Sequence, residues 1–306
     1  MMTTWSTVRR VMRHVPVLLR GRPLHGSERY RPFFIVGSGR CGSTLLRAML
    51  EAHPNVHVPP ESGLAPAVRD FRRFSRLPWN VVLRLVLAQF EYHGVWEAWD
   101  LPLRPLYHEL NALPRTSRNL ATVVDRIYRA HITKHKPGAT RWGDKTPSAT
   151  PALPALHAVF PDLQVVHLLR DGRDVVQSFM RVSQARLPHF AAMWLRSVRA
   201  ARAFGAQHPR QYLEIRYEDL VRRPAEILAS VATFLDLPFD ERMLRHHTLD
   251  LRLGDVDRYP ALQGAREPVY ETSIGRWRGA FASTELAELD RLIGPALAAL
   301  GYRDGP

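Results

Sequence analysis

The chain has 306 residues, enough for one α/β domain with a sizeable core, and 45% hydrophobic against 24% charged residues predicts a soluble globule rather than a disordered chain. No apolar run reaches the roughly 18 residues of a membrane span, and the single cysteine, Cys41, excludes an intrachain disulfide framework. Lysine and arginine total 43 against 29 acidic residues, a formal charge of +14 that predicts anionic partners; without a nucleic-acid motif or aromatic–basic interleaving, nucleic acid is not expected among them.

Residues 1–29 are basic, and Arg13, His14 and Pro16 interrupt their apolar stretches, leaving nothing long enough for a secretory segment. They are expected to form a solvated tail before one domain spanning 30–306, with a weak contact to anionic lipid as the sharper alternative. The lone cysteine and the lack of a secretory segment point to the cytoplasm.

The stretch FFIVGSGRCGSTLL, residues 33–46, organises the rest of the chain. Four apolar residues predict a buried strand, Gly37 and Gly39 break it, and an apolar-periodic helix restarts near Leu45. Strand, glycine turn and helix start make a backbone cradle for a phosphate. The spacing Gly37-x4-Gly42 matches a P-loop, but Ser43 and Thr44 stand where lysine and serine or threonine would come next. The cation comes earlier, as Arg40, so the loop suits one phosphate without metal better than a magnesium-bound triphosphate.

A helix is expected over 42–52, with Leu45, Leu46, Met49 and Leu50 on its buried face and Pro54 stopping it. A short strand comes next at 55–58, and Glu61 stands directly after Pro59-Pro60, at the mouth of the proposed site. Residues 64–136 read as a helical, acceptor-side insertion punctuated by prolines, its aromatic residues mostly core with some free to wall an acceptor pocket. The run LQVVHLL, 163–169, predicts a strand covered on both faces, ending at Arg170-Asp171-Gly172 before a helix with Val175, Val176, Phe179 and Met180. A helix over 194–204, a strand at 212–217, a helix opened by Pro224 and a last helix over 285–300 complete the pattern. Strand–helix alternation predicts an α/β fold, a P-loop-type central parallel sheet flanked by helices. Ligands of such sheets bind at the carboxyl ends of the strands, where the glycine loop and Arg170 both fall.

The run GSGRCGSTLLRAMLEAHPNV resembles the phosphosulfate-binding loop of sulfotransferases that use PAPS, 3′-phosphoadenosine 5′-phosphosulfate, and is most similar to the tyrosylprotein sulfotransferase-like branch and its bacterial relatives. The likeness continues in order at RWGDKTP, HLLRDGRDVVQS, RYEDL and SIGRWRGAF, across roughly residues 32–282. It implies PAPS as co-substrate and no metal, with Gly39, Arg40, Cys41, Gly42, Ser43 and Thr44 at the 5′-phosphate. It further implies Arg170 and Ser178 at the 3′-phosphate, Tyr217 against the adenine, and Arg276 and Arg278 closing over the same phosphate. Read without the resemblance, Arg170 and Ser178 fit a helix-capping cluster around Asp171 and Asp174, and Tyr217 fits the interior of the sheet.

Sulfuryl transfer between two oxygens depends mainly on positioning and electrostatics. The resemblance puts Arg40 on the 5′-phosphate, Lys145 at the bridging oxygen and Glu61 as general base. Asp144 is the competing base, and a third reading makes both carboxylates structural. His53 and His167 read as structural, and no His, Cys or carboxylate set has metal-ligand spacing. The expected acceptor is a hydroxyl of a carbohydrate, lipid or secondary metabolite. Protein tyrosine, a P-loop kinase activity and a non-catalytic phosphoadenosine-binding role stay open beside it. Cys41, between Arg40 and a helix N-terminus, is expected to have a lowered pKa and a reactive thiol.

Overall fold

The computed structural model describes residues 21–302, so the expected tail and its lipid contact lie outside the described residues up to position 20. Arg22 and Leu24 are tied to the domain, while Pro23 and residues 27–29 are exposed. Arg22 donates to the Ser75 carbonyl at 2.6 Å, the Ala121 N–H donates to the Leu24 carbonyl at 2.8 Å, and Leu24 packs on the core.

Five parallel strands, β1 (Phe33–Val36), β2 (Val56–His57), β3 (Arg141–Lys145), β4 (Gln164–Leu169) and β5 (Tyr212–Arg216), form one sheet in the order β2-β3-β1-β4-β5. The described helices are α1 (Ser43–Glu51), α2 (Leu64–Phe74), α3 (Trp79–Glu91), α4 (Leu103–Asn111), α5 (Leu120–His135) and α6 (Leu153–His157). They continue with α7 (Gly172–Met180), α8 (Leu187–Gln207), α9 (Tyr217–Arg222), α10 (Pro224–Phe234), α11 (Asp255–Arg258) and α12 (Ser283–Ala299).

Because β1 and β4 have a neighbour on each edge and helices on each face, every residue of both is buried, which is why β1 reads as an unbroken apolar run and β4 as a mostly apolar one. Phe34, Val36 and Val165 face the α2–α6 layer, while Phe33, Ile35, Val166 and Leu168 face α1, α9 and α10. Of the two polar residues of β4, Gln164 donates to the Phe234 carbonyl, while His167 meets Tyr212 at 2.7 Å and Glu214 at 3.1 Å through Nδ1 alone and its buried Nε2 finds no hydrogen-bond partner among the described residues.

Two features depart from the sequence-based expectation. The strand β3 has no apolar run to announce it. Its Trp142 donates to Asp125 at 2.9 Å, and Gly143 is needed because a Cβ there would sit 2.3 Å from the Phe33 ring. Helix α8 begins at Leu187 rather than 194, opened by Pro188 in its first turn. In keeping with the expected core role, most aromatic residues of 64–136 are packed inside, with Trp99 stacked on Trp96 at 5.0 Å and edge-on to Tyr128 at 5.3 Å.

Behind this aromatic cluster, His131 on α5 meets His57 at 2.6 Å, and His57 meets Glu51 at 2.9 Å. Burial first, then the neighbouring His57 and His135, drags the His131 pKa down to about 2. The unfolded chain takes up this proton near pH 6.5 while the folded chain does not, so stability falls as pH drops below 6.5. The loss is about 1.4 kcal/mol per pH unit from this residue. Urea denaturation at pH 6.5 and 5.5 should therefore show a shallower acid loss in His131→Leu than in the wild type, by about 1 kcal/mol because the unfolded histidine is already half protonated at pH 6.5; equal slopes would contradict a neutral, buried His131.

Candidate active site

The glycine loop turns at the carboxyl end of β1. Gly39, Arg40 and Gly42 have φ of 72°, 50° and 94°, and such left-handed runs aim successive backbone N–H groups into one concavity that suits an anion. A non-glycine residue in this conformation costs on the order of 1 kcal/mol, and neighbours hold Arg40 there. Its carbonyl accepts from Arg170 Nη1 at 2.9 Å, and its Nε donates to Ser178 Oγ at 3.1 Å. Gly42 admits no side chain, since a Cβ would lie 2.3 Å from the Tyr217 ring. It opens α1, whose first turn no side chain caps among the described residues, leaving the positive end of the helix facing the loop. Thr150 clamps the loop entry, accepting from the Gly37 N–H at 3.1 Å and donating to its carbonyl at 2.9 Å.

Arg170 comes directly after β4 and is buried beside this loop. Its Nη2 donates to the Ser273 carbonyl at 2.7 Å, and its guanidinium lies 4.5 Å over the Tyr217 ring. Its Nε is buried with no hydrogen-bond partner among the described residues. Burial, and then the charge of Arg170, push the Arg40 guanidinium below its ordinary pKa. Two cations brought together, with a buried N–H left over, fit an anionic group such as a phosphate.

Arg40, Ser178, Arg170 and Tyr217 line one cavity of about 510 Å³ together with Gly39, Gly42, Ser43 and Thr44. Tyr217 lines the cavity and also packs in the core cluster of Phe33, Ile35 and Ile215, its hydroxyl sharing a 2.5 Å hydrogen bond with Ser273. The capping cluster also exists, but beside the site. Asp171 accepts from the Arg173 N–H at 2.8 Å, and Asp174 accepts from the Gly275 and Trp277 N–H groups at 2.8 and 2.9 Å. Arg276 and Arg278 are exposed and outside the cavity lining. Arg276 turns back to the Thr272 carbonyl at 2.7 Å, and Arg278 rests 4.7 Å over Trp277.

On the opposite wall stands Glu61. Its carbonyl accepts from Trp99 Nε1 at 2.9 Å, and its carboxylate meets Lys145 Nζ at 2.8 Å. Glu61 lines the cavity with its side chain 32% exposed, whereas Lys145 is 1% exposed and lies behind it rather than on the surface. Lys145 also approaches Asp255 at 3.5 Å, and Asp255 is ion-paired with Arg47. Neither Asp255 nor Arg47 stands out in the sequence. The one cue is an arginine within the apolar stretch of α1, between Leu46 and Met49.

Asp144 is buried away from the cavity, accepting from Ser62 Oγ at 2.6 Å and from the Tyr128 hydroxyl. Burial raises its pKa, and it anchors Ser62, the residue after Glu61. His53 bonds the Pro238 carbonyl at 3.0 Å, and Lys136 donates to the carbonyls of His53 and Val56 at 2.9 and 2.6 Å, all structural contacts.

Two expectations are corrected. No residue of 64–136 lines the cavity; Phe179, Met193, Arg196 and positions between Leu262 and Tyr270 wall it instead. Cys41 is fully buried, and desolvation raises its pKa despite the opposing Ser43 contacts and the charge of Arg170. Among the described residues, no group of three or more His, Cys, Asp or Glu side chains could hold a metal ion.

Comparison with known proteins fits this geometry. A sequence model described as the sulfotransferase family matches residues 32–241. Protein-tyrosine sulfotransferase A of Caenorhabditis elegans is 26% identical over 292 residues, covering 90% of this chain and 69% of that protein. Protein-tyrosine sulfotransferase 1 of Danio rerio is 24% identical over 279 residues, covering 88% and 71%. The sulfotransferase domain from the Synechococcus PCC 7002 olefin synthase shares the fold, with a TM-score of 0.63 at 24% identity over 91% of this chain and 97% of that one.

A thiol with a raised pKa and no exposed surface should resist alkylation. Native protein treated with iodoacetamide should leave Cys41 unmodified by mass spectrometry, and urea-unfolded protein should label fully. Rapid labelling of the native fold would contradict this burial.

Proposed function

The chain belongs to the sulfotransferase family, and on that footing we propose that it transfers the sulfuryl group of PAPS to the phenolic hydroxyl of tyrosine in a polypeptide acceptor. The observation that carries this reading is that Arg40, Arg170, Ser178 and Glu61 share the walls of a single cavity. The acceptor class is supported by relatives named protein-tyrosine sulfotransferases that match across most of the chain. A carbohydrate, lipid or metabolite hydroxyl has less support, because the olefin-synthase domain bears on the fold alone.

In this reading, Arg40 and the N–H groups of the loop hold the 5′-phosphate, with Ser43 and Thr44 as further donors. Arg170 and Ser178 hold the 3′-phosphate, which Arg170 Nε is free to meet. PAPS, when bound, supplies the sulfuryl group and a phosphate leaving group. Lys145 binds one oxygen of Glu61, leaving the other to take the acceptor's proton, and supplies the buried positive charge nearest the reacting centre. Arg276 and Arg278 reach the 3′-phosphate only if the 273–278 segment folds inward on donor binding.

Sulfate transfer from radiolabelled PAPS to a tyrosine-containing peptide tests this. Glu61→Gln should lower the rate at least about 100-fold while keeping affinity for 3′-phosphoadenosine 5′-phosphate within about threefold. An active Glu61→Gln enzyme would remove Glu61 as base. Transfer to sugars or lipids but never to tyrosine would remove the acceptor assignment.

A further inference from the structure

We propose that Asp255 is a positioning residue for this reaction: it anchors the Lys145 ammonium so that Glu61 can accept the acceptor's proton without Lys145 losing its last counter-charge. The inference rests on the proposed sulfuryl transfer with Glu61 as base.

Four side chains form a line of alternating charge from the core to the cavity: Arg47, Asp255, Lys145 and Glu61. The first three are at most 2% exposed, and Glu61 alone reaches the cavity. Arg47 is fixed by the Val58 carbonyl at 2.8 Å and the Leu253 carbonyl at 2.9 Å, so Asp255 is held from behind. The groups facing Lys145 are Glu61 before α2 and Asp255 at the start of α11, with Arg47 of α1 behind Asp255. Asp144 of β3 is occupied by Ser62 and Tyr128. Once Glu61 is protonated its charge vanishes, and without Asp255 a buried ammonium would stand unpaired, which is strongly unfavourable. With Asp255 in place the ammonium stays charged and stationary through proton transfer. Asp255 also sits on the segment that leads into the cavity wall at Leu262 to Tyr270, so the wall and the charged line are tied together.

The chain has only three lysines, so isotope-labelled lysine side chains give separable NMR titrations. In Glu61→Gln, a mimic of the protonated base, the Lys145 midpoint should stay within about one pH unit of the wild type because Asp255 remains. In Asp255→Asn it should fall by more than about one unit. Asp255→Asn should also lose about 30-fold in kcat per bisphosphate-binding site, with bisphosphate affinity within about threefold. If that variant folds poorly, the charge-balanced pair Arg47→Gln/Asp255→Asn replaces it, and kcat should stay low even where its melting temperature recovers. A purely structural Asp255 predicts recovered kcat in the pair, and that result overturns the proposal. So does wild-type kcat in Asp255→Asn, or a collapse of the Lys145 midpoint in Glu61→Gln. If the wild type transfers sulfate to nothing while the Lys145 midpoints show the expected pattern, the anchor stands and the assigned reaction falls.

Discussion

The juxtaposition of Arg40 and Arg170 is the constraint around which the site is built. Two guanidinium groups repel, and one of them is pushed below its ordinary pKa by burial and by the other's charge. Surrounding structure holds them together: a left-handed backbone at Arg40, the Arg40 and Ser273 carbonyls that accept from Arg170, and the Tyr217 ring beneath it. Such an arrangement stores unfavourable electrostatics that an anion relieves on binding, which is how a polar site is prepared before its ligand arrives. The parallel sheet makes this possible, because β1 and β4 are neighbours and deliver both arginines to the same edge.

Across the cavity the logic is inverted. There, charges are paired and buried in alternation from Arg47 to Glu61, so the line is neutral as a whole and only its last carboxylate meets the cavity. One wall therefore attracts an anionic donor, and the other presents a carboxylate held by a buried cation. Asp144, beside Lys145 in the sequence, faces Ser62 and Tyr128 because successive strand residues point to opposite faces. One step along β3 separates the residue behind Glu61 from the residue that anchors its loop.

Much of this could be read from local patterns. The glycine loop, the apolar runs of β1 and β4 and the arginine after β4 are signals contained within a few residues, and each lies where the pattern places it. What stayed hidden depends on long-range packing. Strand β3 is composed of Arg, Trp, Gly, Asp and Lys, whose burial depends on partners such as Asp125 and Tyr128 on a distant helix. Cys41 looks electropositive from its neighbours in sequence, yet its side chain turns into the core, where desolvation outweighs the charge of Arg170. Asp255 and Arg47 are 208 positions apart and gain meaning only as a pair. The aromatic-rich insertion invites a substrate-wall reading, but its rings satisfy one another first.

The central claim is that Arg40 and Arg170 together form a metal-free site for a doubly phosphorylated adenylate. Calorimetric titration of the wild type and of Arg170→Gln with 3′-phosphoadenosine 5′-phosphate and with AMP, in the presence of EDTA, tests it most directly. Losing charge-assisted hydrogen bonds of Arg170 is worth about 2–3 kcal/mol, or roughly 30- to 150-fold in affinity. The wild type should bind the bisphosphate far more tightly than AMP, and Arg170→Gln should remove most of that preference. Equal affinity of the wild type for the two nucleotides, or a magnesium requirement, would contradict it.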